Sequence, residues 1–249
     1  MSLRRFAPSV LVALACTFSI GLIAQDRGDV EAKDSGLPCI SKGTGEDLIG
    51  FCPSNSGRIN TILGNSGIAQ SSTNMAICHS TAVNAATTYS VSDFILVSIA
   101  QKNGAGKLPL KIVSRSADNT WLLTSQYSIN TAELEVVHTA ALKRQGGPLT
   151  QVAMAYNADD FPGSTFTNNG IKGPHEVSQS GNNRIISMAL LTRKFAHTTT
   201  LSPNIVGVGC NQASIAPFVG LDRGSQVTYL LGGYNSGATK TVKYQFRRG

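Results

Sequence analysis

From about residue 48 the chain is broken every 10–15 residues or so by clusters rich in Gly, Asn and Asp, and that punctuation limits its fold more than any other feature. The clusters read "KNGAGK", "SADN", "INTAE", "RQGGP", "SQSGNN", "LDRGS" and "YNSGA". Residues of these kinds supply the positive φ angles and local side-chain bonds of tight turns. Between them lie short stretches with period two, which sets one row of side chains against a core and the next in water. In "TWLLTSQYSI", Trp121, Leu123, Tyr127 and Ile129 share a face, and Thr124, Gln126 and Ser128 take the other. In "ELEVVHTAAL" the inward set is Leu134, Val136, His138, Ala140 and Leu142. "TKTVKYQF" sets Val242, Tyr244 and Phe246 against Lys243 and Gln245, and "QVTYL" aligns Val227, Tyr229 and Leu231. No long amphipathic helix interrupts the series. The reading is all-β: a single antiparallel β-sandwich, of jelly-roll or a related two-sheet kind, over residues 48–249.

Two runs lack alternation. "DFILVSIA" at 93–100 and "RIISMALL" at 184–191 are apolar on both faces, the pattern of central strands covered on both sides. Residues 26–47 are charged and aperiodic and read as an extended N-terminal segment. The one long irregular stretch, 157–183, is of a length that in a compact domain marks a binding or lid element. No internal repeat is visible.

Residues 1–25, "MSLRRFAPSVLVALACTFSIGLIAQ", place Arg4 and Arg5 ahead of an apolar run, the layout of a secretory signal peptide cleaved after Ala24 or Gln25. A signal anchor, or a lipoprotein attached through Cys16, is the alternative. With the signal removed, 19 basic residues face 14 acidic ones. The excess gathers at the end of the chain, where Lys240, Lys243, Arg247 and Arg248 follow the last acid, Asp222. A basic edge of this kind keeps a terminal strand soluble and unpaired. With so few aromatic residues it gives no reason to expect nucleic acid.

Four cysteines follow the signal segment: Cys39, Cys52, Cys78 and Cys210. An even number in an exported chain points to disulfides, in any of three pairings. Cys39–Cys52 closing a Gly-rich loop, with Cys78 joined to Cys210, is the preferred one. Cys78 precedes His79, but neighbours in a strand point to opposite faces, so the two do not form a nucleophile and base. The spacings lack the close pair of a zinc site.

Chemistry-bearing candidates are few. Asp159 and Asp160, with Glu176, are the oxygen donors a calcium ion would use, although Asx turns have the same letters; no other cofactor is indicated. In the same stretch Phe161, Phe166, Asn168, Asn169 and His175 suit a carbohydrate or peptide contact, rings stacking and amides bonding hydroxyls. His138 falls on an apolar face and reads as a buried histidine with one hydrogen-bond partner. Glu133 and Glu135 share the water-facing side of one strand. "GNSG" at 64–67 has the letters of a serine-protease nucleophile loop, but Ser66 precedes every histidine, against that family's order. Nucleophile elbow, P-loop and zinc-protease motifs are absent. "RGD" at 27–29 spells an integrin-recognition tripeptide and carries no further support.

"VSDF" at 91–94 followed by "TWLLTS" at 120–125 resembles a stretch of the thermostable direct haemolysins, secreted β-sandwich toxins that form pores; the resemblance covers residues 91–160 and implies a membrane-binding activity. The residues themselves lead first to a secreted or periplasmic binding or structural module without catalytic activity. Its expected partner is carbohydrate, a cell surface or membrane lipid, contacted through 157–183. A hydrolase whose residues converge only in three dimensions is the remaining alternative.

Overall fold

The structure, a computed structural model, describes residues 37–64, 67–70, 73–82, 85–158, 168–173, 175–181, 184–202, 218–219 and 224–248. The first strands are β1 (Ile40–Lys42), β2 (Ile49–Pro53), β3 (Ile59–Gly64), β4 (Gly67–Gln70), β5 (Thr73–Ala82) and β6 (Ala85–Ser90). β7 (Ile95–Gln101), β8 (Leu110–Arg115), β9 (Trp121–Asn130), β10 (Glu135–Arg144), β11 (Thr150–Ala158) and β12 (Asn168–Gly173) follow. The series ends with β13 (Glu176–Gly181), β14 (Arg184–Leu190), β15 (Ala196–Ser202), β16 (Phe218–Val219), β17 (Gly224–Tyr234) and β18 (Thr239–Arg248). They form three antiparallel sheets: β1-β2-β3-β4, β15-β17-β11-β5-β6, and a nine-stranded sheet ordered β16-β12-β13-β14-β18-β10-β9-β8-β7. The fold is the expected all-β sandwich. Its helical content among the described residues is two single 3-10 turns, at Gly45–Asp47 and Val91–Asp93, and no described helix is long and apolar enough to cross a membrane. The segment read as extended, 26–47, contributes β1, paired with β2.

Both smaller sheets lie against one face of the nine-stranded sheet. Phe51 of β2 stacks on Tyr127 of β9 with ring centroids 4.8 Å apart. Gly57, in the β2–β3 turn, has φ 90°, and a Cβ there would come within 2.8 Å of Ser125 Oγ, so glycine allows the turn to rest on β9. The small sheets also meet each other: Thr73 donates its hydroxyl to Ile59 O, and Arg58 donates to Thr73 O.

Tyrosines tie these layers together. An aromatic ring adds apolar area to a core, and its hydroxyl needs a partner there. Here the partner is repeatedly a backbone group of another sheet. Tyr127 donates to Gly57 O at 2.7 Å, Tyr244 of β18 to Met154 O of β11 at 2.9 Å, and Tyr229 of β17 to Lys243 O of β18 at 2.5 Å. Tyr156 of β11 accepts from Ile59 N of β3. The same residues form much of the core, with Trp121, Leu123, Val136, Leu142, Val242 and Phe246.

Two readings of whole segments are corrected: the terminal strand bearing Lys240, Lys243, Arg247 and Arg248 is no unpaired edge, since β18 pairs with both β10 and β14, and the stretch 157–183, read as irregular, holds the paired strands β12 and β13. Four more corrections concern single strands and residues. The first concerns "DFILVSIA": β7 is not a central strand but the edge of the nine-stranded sheet, bonded to β8 alone, with Ile95, Leu96, Val97 and Ile99 exposed. The sandwich anchors only its approach, through buried Val91 and Phe94. Next, β17 does not alternate: Ser225 to Tyr229 are all buried. Leu134 is not a strand residue but sits in the β9–β10 turn at φ 47°, accepting from Arg248 N. Lastly, His138 is fully buried as expected, yet neither ring nitrogen has a hydrogen-bond partner among the described residues. Aromatic faces surround it instead: Tyr127 stacks at 4.9 Å and Tyr156 meets it edge-on at 5.7 Å.

Candidate binding surface

Asn168 and Asn169 lie on β12, opposite Ser180 and Gln179 of β13 and Val219 and Phe218 of β16. Asp159, Asp160, Phe161 and Phe166 fall outside the described residues. His175 stands at the turn between β12 and β13, where its ring meets that of His197 on β15 with centroids 4.2 Å apart. The two residues are far apart in sequence, and only the pairing of β15 with β17 brings His197 here. His197 Nδ1 lies 2.9 Å from Phe195 O. Desolvation first, then the positive charges of Arg193 and His197, lowers the His175 pKa below its ordinary value. Lys194 and Lys240 lie over the Phe195 ring, at 5.0 and 5.9 Å from its centroid. The corner is cationic and aromatic, and among the described residues no carboxylate bonds to either histidine.

A second cluster closes one end of the sandwich. Trp121 donates its indole N–H to His79 Nδ1 at 3.3 Å, and the buried Arg144 guanidinium lies 5.6 Å from the Trp121 centroid. Tyr89 donates to Asp118 Oδ2 at 2.7 Å. Burial acts to raise the Asp118 pKa, but bonds from Ser116, Thr120 and Tyr89 outweigh it and hold the carboxyl well below the usual range. Burial, then Arg144, lowers that of His79, against a smaller raising effect of Asp118. With its oxygens taken by turn residues and Tyr89, Asp118 is a turn-forming carboxylate and no base for His79. His79 faces Trp121 while Cys78 packs against Ala155 on the other face of β5, as alternation requires. Cys39 and Cys52 form a disulfide; Cys78 is disulfide-bonded as well, and Cys210 lies outside the described residues.

The outward face of the nine-stranded sheet is broader than either cluster. Strand register aligns its side chains in rows across β18, β10, β9 and β8. One row runs Lys243, Thr139, Gln126, Lys111. The next is Thr241, Ala141, Thr124, Val113, and the one beyond is Thr239, Lys143, Leu122, Arg115. In the other direction come Gln245, Val137, Ser128 and then Arg247, Glu135, Asn130. The side chains of Lys111, Thr124, Gln126, Thr139, Thr241, Lys143 and Lys243 make no hydrogen bond or ion pair among the described residues. The acids are occupied: Arg247 Nη2 lies 3.2 Å from Glu133 and 3.8 Å from Glu135, which also accepts from Gln245. Sequence reasoning identified Thr124, Gln126 and Ser128 on β9 and Lys243 and Gln245 on β18 as outward, but not the positions of β8 or the register that gathers them into rows.

Among the described residues no three of His, Cys, Asp and Glu gather as metal ligands; of the calcium candidates only Glu176 is described. A recess lined by Ala158, Val177, Ile186, Met188, Ser225 and Phe246 has a volume of about 10 Å³, room for one water at most.

No protein-family model and no curated protein matches the chain. Solved structures do resemble it in fold. A protein assigned as an aldose 1-epimerase from Escherichia coli K12 superposes with TM-score 0.51 at 8% identity, covering 86% of this chain and 99% of that one. A polysaccharide lyase gives TM-score 0.51 at 9% identity, covering 84% of this chain. A bacterial glucoamylase in complex with acarbose gives TM-score 0.49 at 11% identity, covering 87%. The chain spans a third of the length of the last two, 33% in each case. At these identities the likeness is one of fold.

Proposed function

We propose that the protein is an exported β-sandwich that binds carbohydrate without cleaving it, on the outward face of the nine-stranded sheet. The observation that carries this reading is the grid of free hydroxyls, amide and ammonium groups around Thr139 and Gln126, held in fixed rows by strand pairing. Sugars present arrays of hydroxyls that such groups bond, and a rigid sheet orders the donors before the ligand arrives. The two fold neighbours at TM-score 0.51, named as a polysaccharide lyase and an aldose 1-epimerase, are in keeping with that ligand class. Glycoside cleavage needs two carboxyl groups with free access to the bond. On this face Arg247 stands between the Glu133 and Glu135 carboxylates, which speaks for binding without turnover. Asn168 and Asn169 on β12, and His175 at the β12–β13 turn, stand further along the same sheet. Export rests on residues 1–25, and the Cys39–Cys52 bridge suits an oxidising compartment.

A second reading has one observation in its favour. The exposed apolar side chains of β7 directly follow the haemolysin-like "VSDF" and could enter a lipid surface. A glycan array run beside leakage of dye-loaded liposomes separates the two. Glycan retention with intact liposomes and no new reducing ends supports the first reading, and leakage without glycan retention replaces it with the second.

A further inference from the structure

We infer that the ligand of this face is an acidic polysaccharide, a chain carrying carboxylate or sulfate groups. The inference rests on the carbohydrate-binding reading and adds charge to it. Lys243 and Lys111 end one row, Lys143 and Arg115 stand in the row two beyond it, and no acid stands in these rows or in the one between them. None of the four has an ion pair among the described residues, and Arg115 donates only to the amide oxygen of Asn119 in its own hairpin.

Antiparallel strands lie about 4.8 Å apart, so Lys243 and Lys111, separated by three strand steps, are about 14 Å apart. Lys143 lies four residues beyond Thr139 along β10, again about 14 Å at the rise of an antiparallel strand. The cations therefore frame a field that holds Thr139, Gln126, Ala141 and Thr124, with Thr241 at its β18 edge. That arrangement matches a polymer with repeated negative charges at its flanks and hydroxyls between them. The rows hold no aromatic side chain, so the stacking plane that would grip a neutral sugar ring is missing there. Charge has to supply the attraction, and it reaches further than hydrogen bonding, steering a polyanion to the face.

The test uses polygalacturonic acid and its fully methyl-esterified form, which keeps the sugar backbone and removes the charge. The full-length exported protein retains the acid form at least ten-fold more tightly, and affinity falls as salt is raised. The double variant Lys111→Glu/Lys243→Glu loses at least ten-fold in affinity for the acid form with an unchanged melting temperature, whereas Lys42→Glu, on β1 away from the face, loses much less. Equal binding of acid and ester leaves the carbohydrate reading in place and overturns the charge inference. An equal loss in Lys42→Glu, or equal binding of phosphatidylserine vesicles or single-stranded DNA, also overturns it, by reducing the effect to net charge. Retention of neither pectin form, nor of any glycan on an array, removes both readings.

Discussion

β7 and β14 carry nearly the same message in sequence and end in opposite surroundings. Each is an uncharged apolar run without alternation, "ILVSIAQ" in one and "IISMAL" after Arg184 in the other. β14 is paired on both sides, with β13 and β18, and Ile186 through Leu190 are all buried. Among the described residues β7 is paired only with β8, and it exposes Ile95, Leu96, Val97 and Ile99 by 38–51%. Composition specified a strand in both cases. Position in the sheet depends on which partners pair on each side, and those are remote in sequence. The difference teaches that a two-sided apolar strand is either the centre of a sheet or an edge still open to a partner.

The sharpest way to break the comparison is to place the same charge in both strands. Met188→Asp buries an unpaired carboxylate in β14 and is expected to cost more than about 4 kcal/mol, enough to prevent folding or nearly so. Val97→Asp in β7 is expected to stay within about 0.5 kcal/mol of the parent. Urea unfolding curves of the two variants measure this, and equal losses would mean that β7 is covered in solution.

Acid extends the contrast to the core at large. Burial lowers the His138 pKa from 6.5 to about 3. The neutral ring is favoured in the folded chain, so the unfolded chain binds the extra proton between those pH values. Stability is therefore full above pH 6.5 and declines as pH falls towards 3, by an amount on the order of 5 kcal/mol. A melting series from pH 7.5 to 3.5 should show that decline, and His138→Phe, which keeps a flat aromatic ring between the tyrosines, should flatten it. An unaltered profile in His138→Phe would assign acid sensitivity to other groups.

Smaller still is the effect of one tyrosine tie. Tyr244→Phe removes the bond to Met154 O, for an expected loss of about 1 kcal/mol by chemical denaturation. The smallest effect on stability belongs to Val97→Lys, which should leave the melting temperature unchanged. If the bare edge pairs between copies, this substitution lowers self-association at high concentration, as read by light scattering. No change would show that β7 already repels its like.

The alternating strands were legible because each carries its own pattern. Trp121, Leu123 and Tyr127, or Val242, Tyr244 and Phe246, announce a buried face without reference to anything distant. Cys39–Cys52 was legible because a short Gly-containing loop brings its ends together cheaply. The meeting of His175 with His197 was not, since it depends on β15 pairing with β17 and on the folding-back of the β12–β13 hairpin. Nor were the rows on the outward face, where Lys243 and Lys111 become neighbours of one field only through two intervening strands. Gln226 and Thr228 mislead for a related reason: polar residues in an alternating run read as water-facing, yet both are buried.

Backbone amide shifts on titration with an acidic oligosaccharide would test the account most directly. The account predicts that the affected residues cluster on β8, β9, β10 and β18, around Lys111, Gln126, Thr139 and Lys243. Shifts confined to β7, or to the sandwich end around Trp121 and His79, would contradict it.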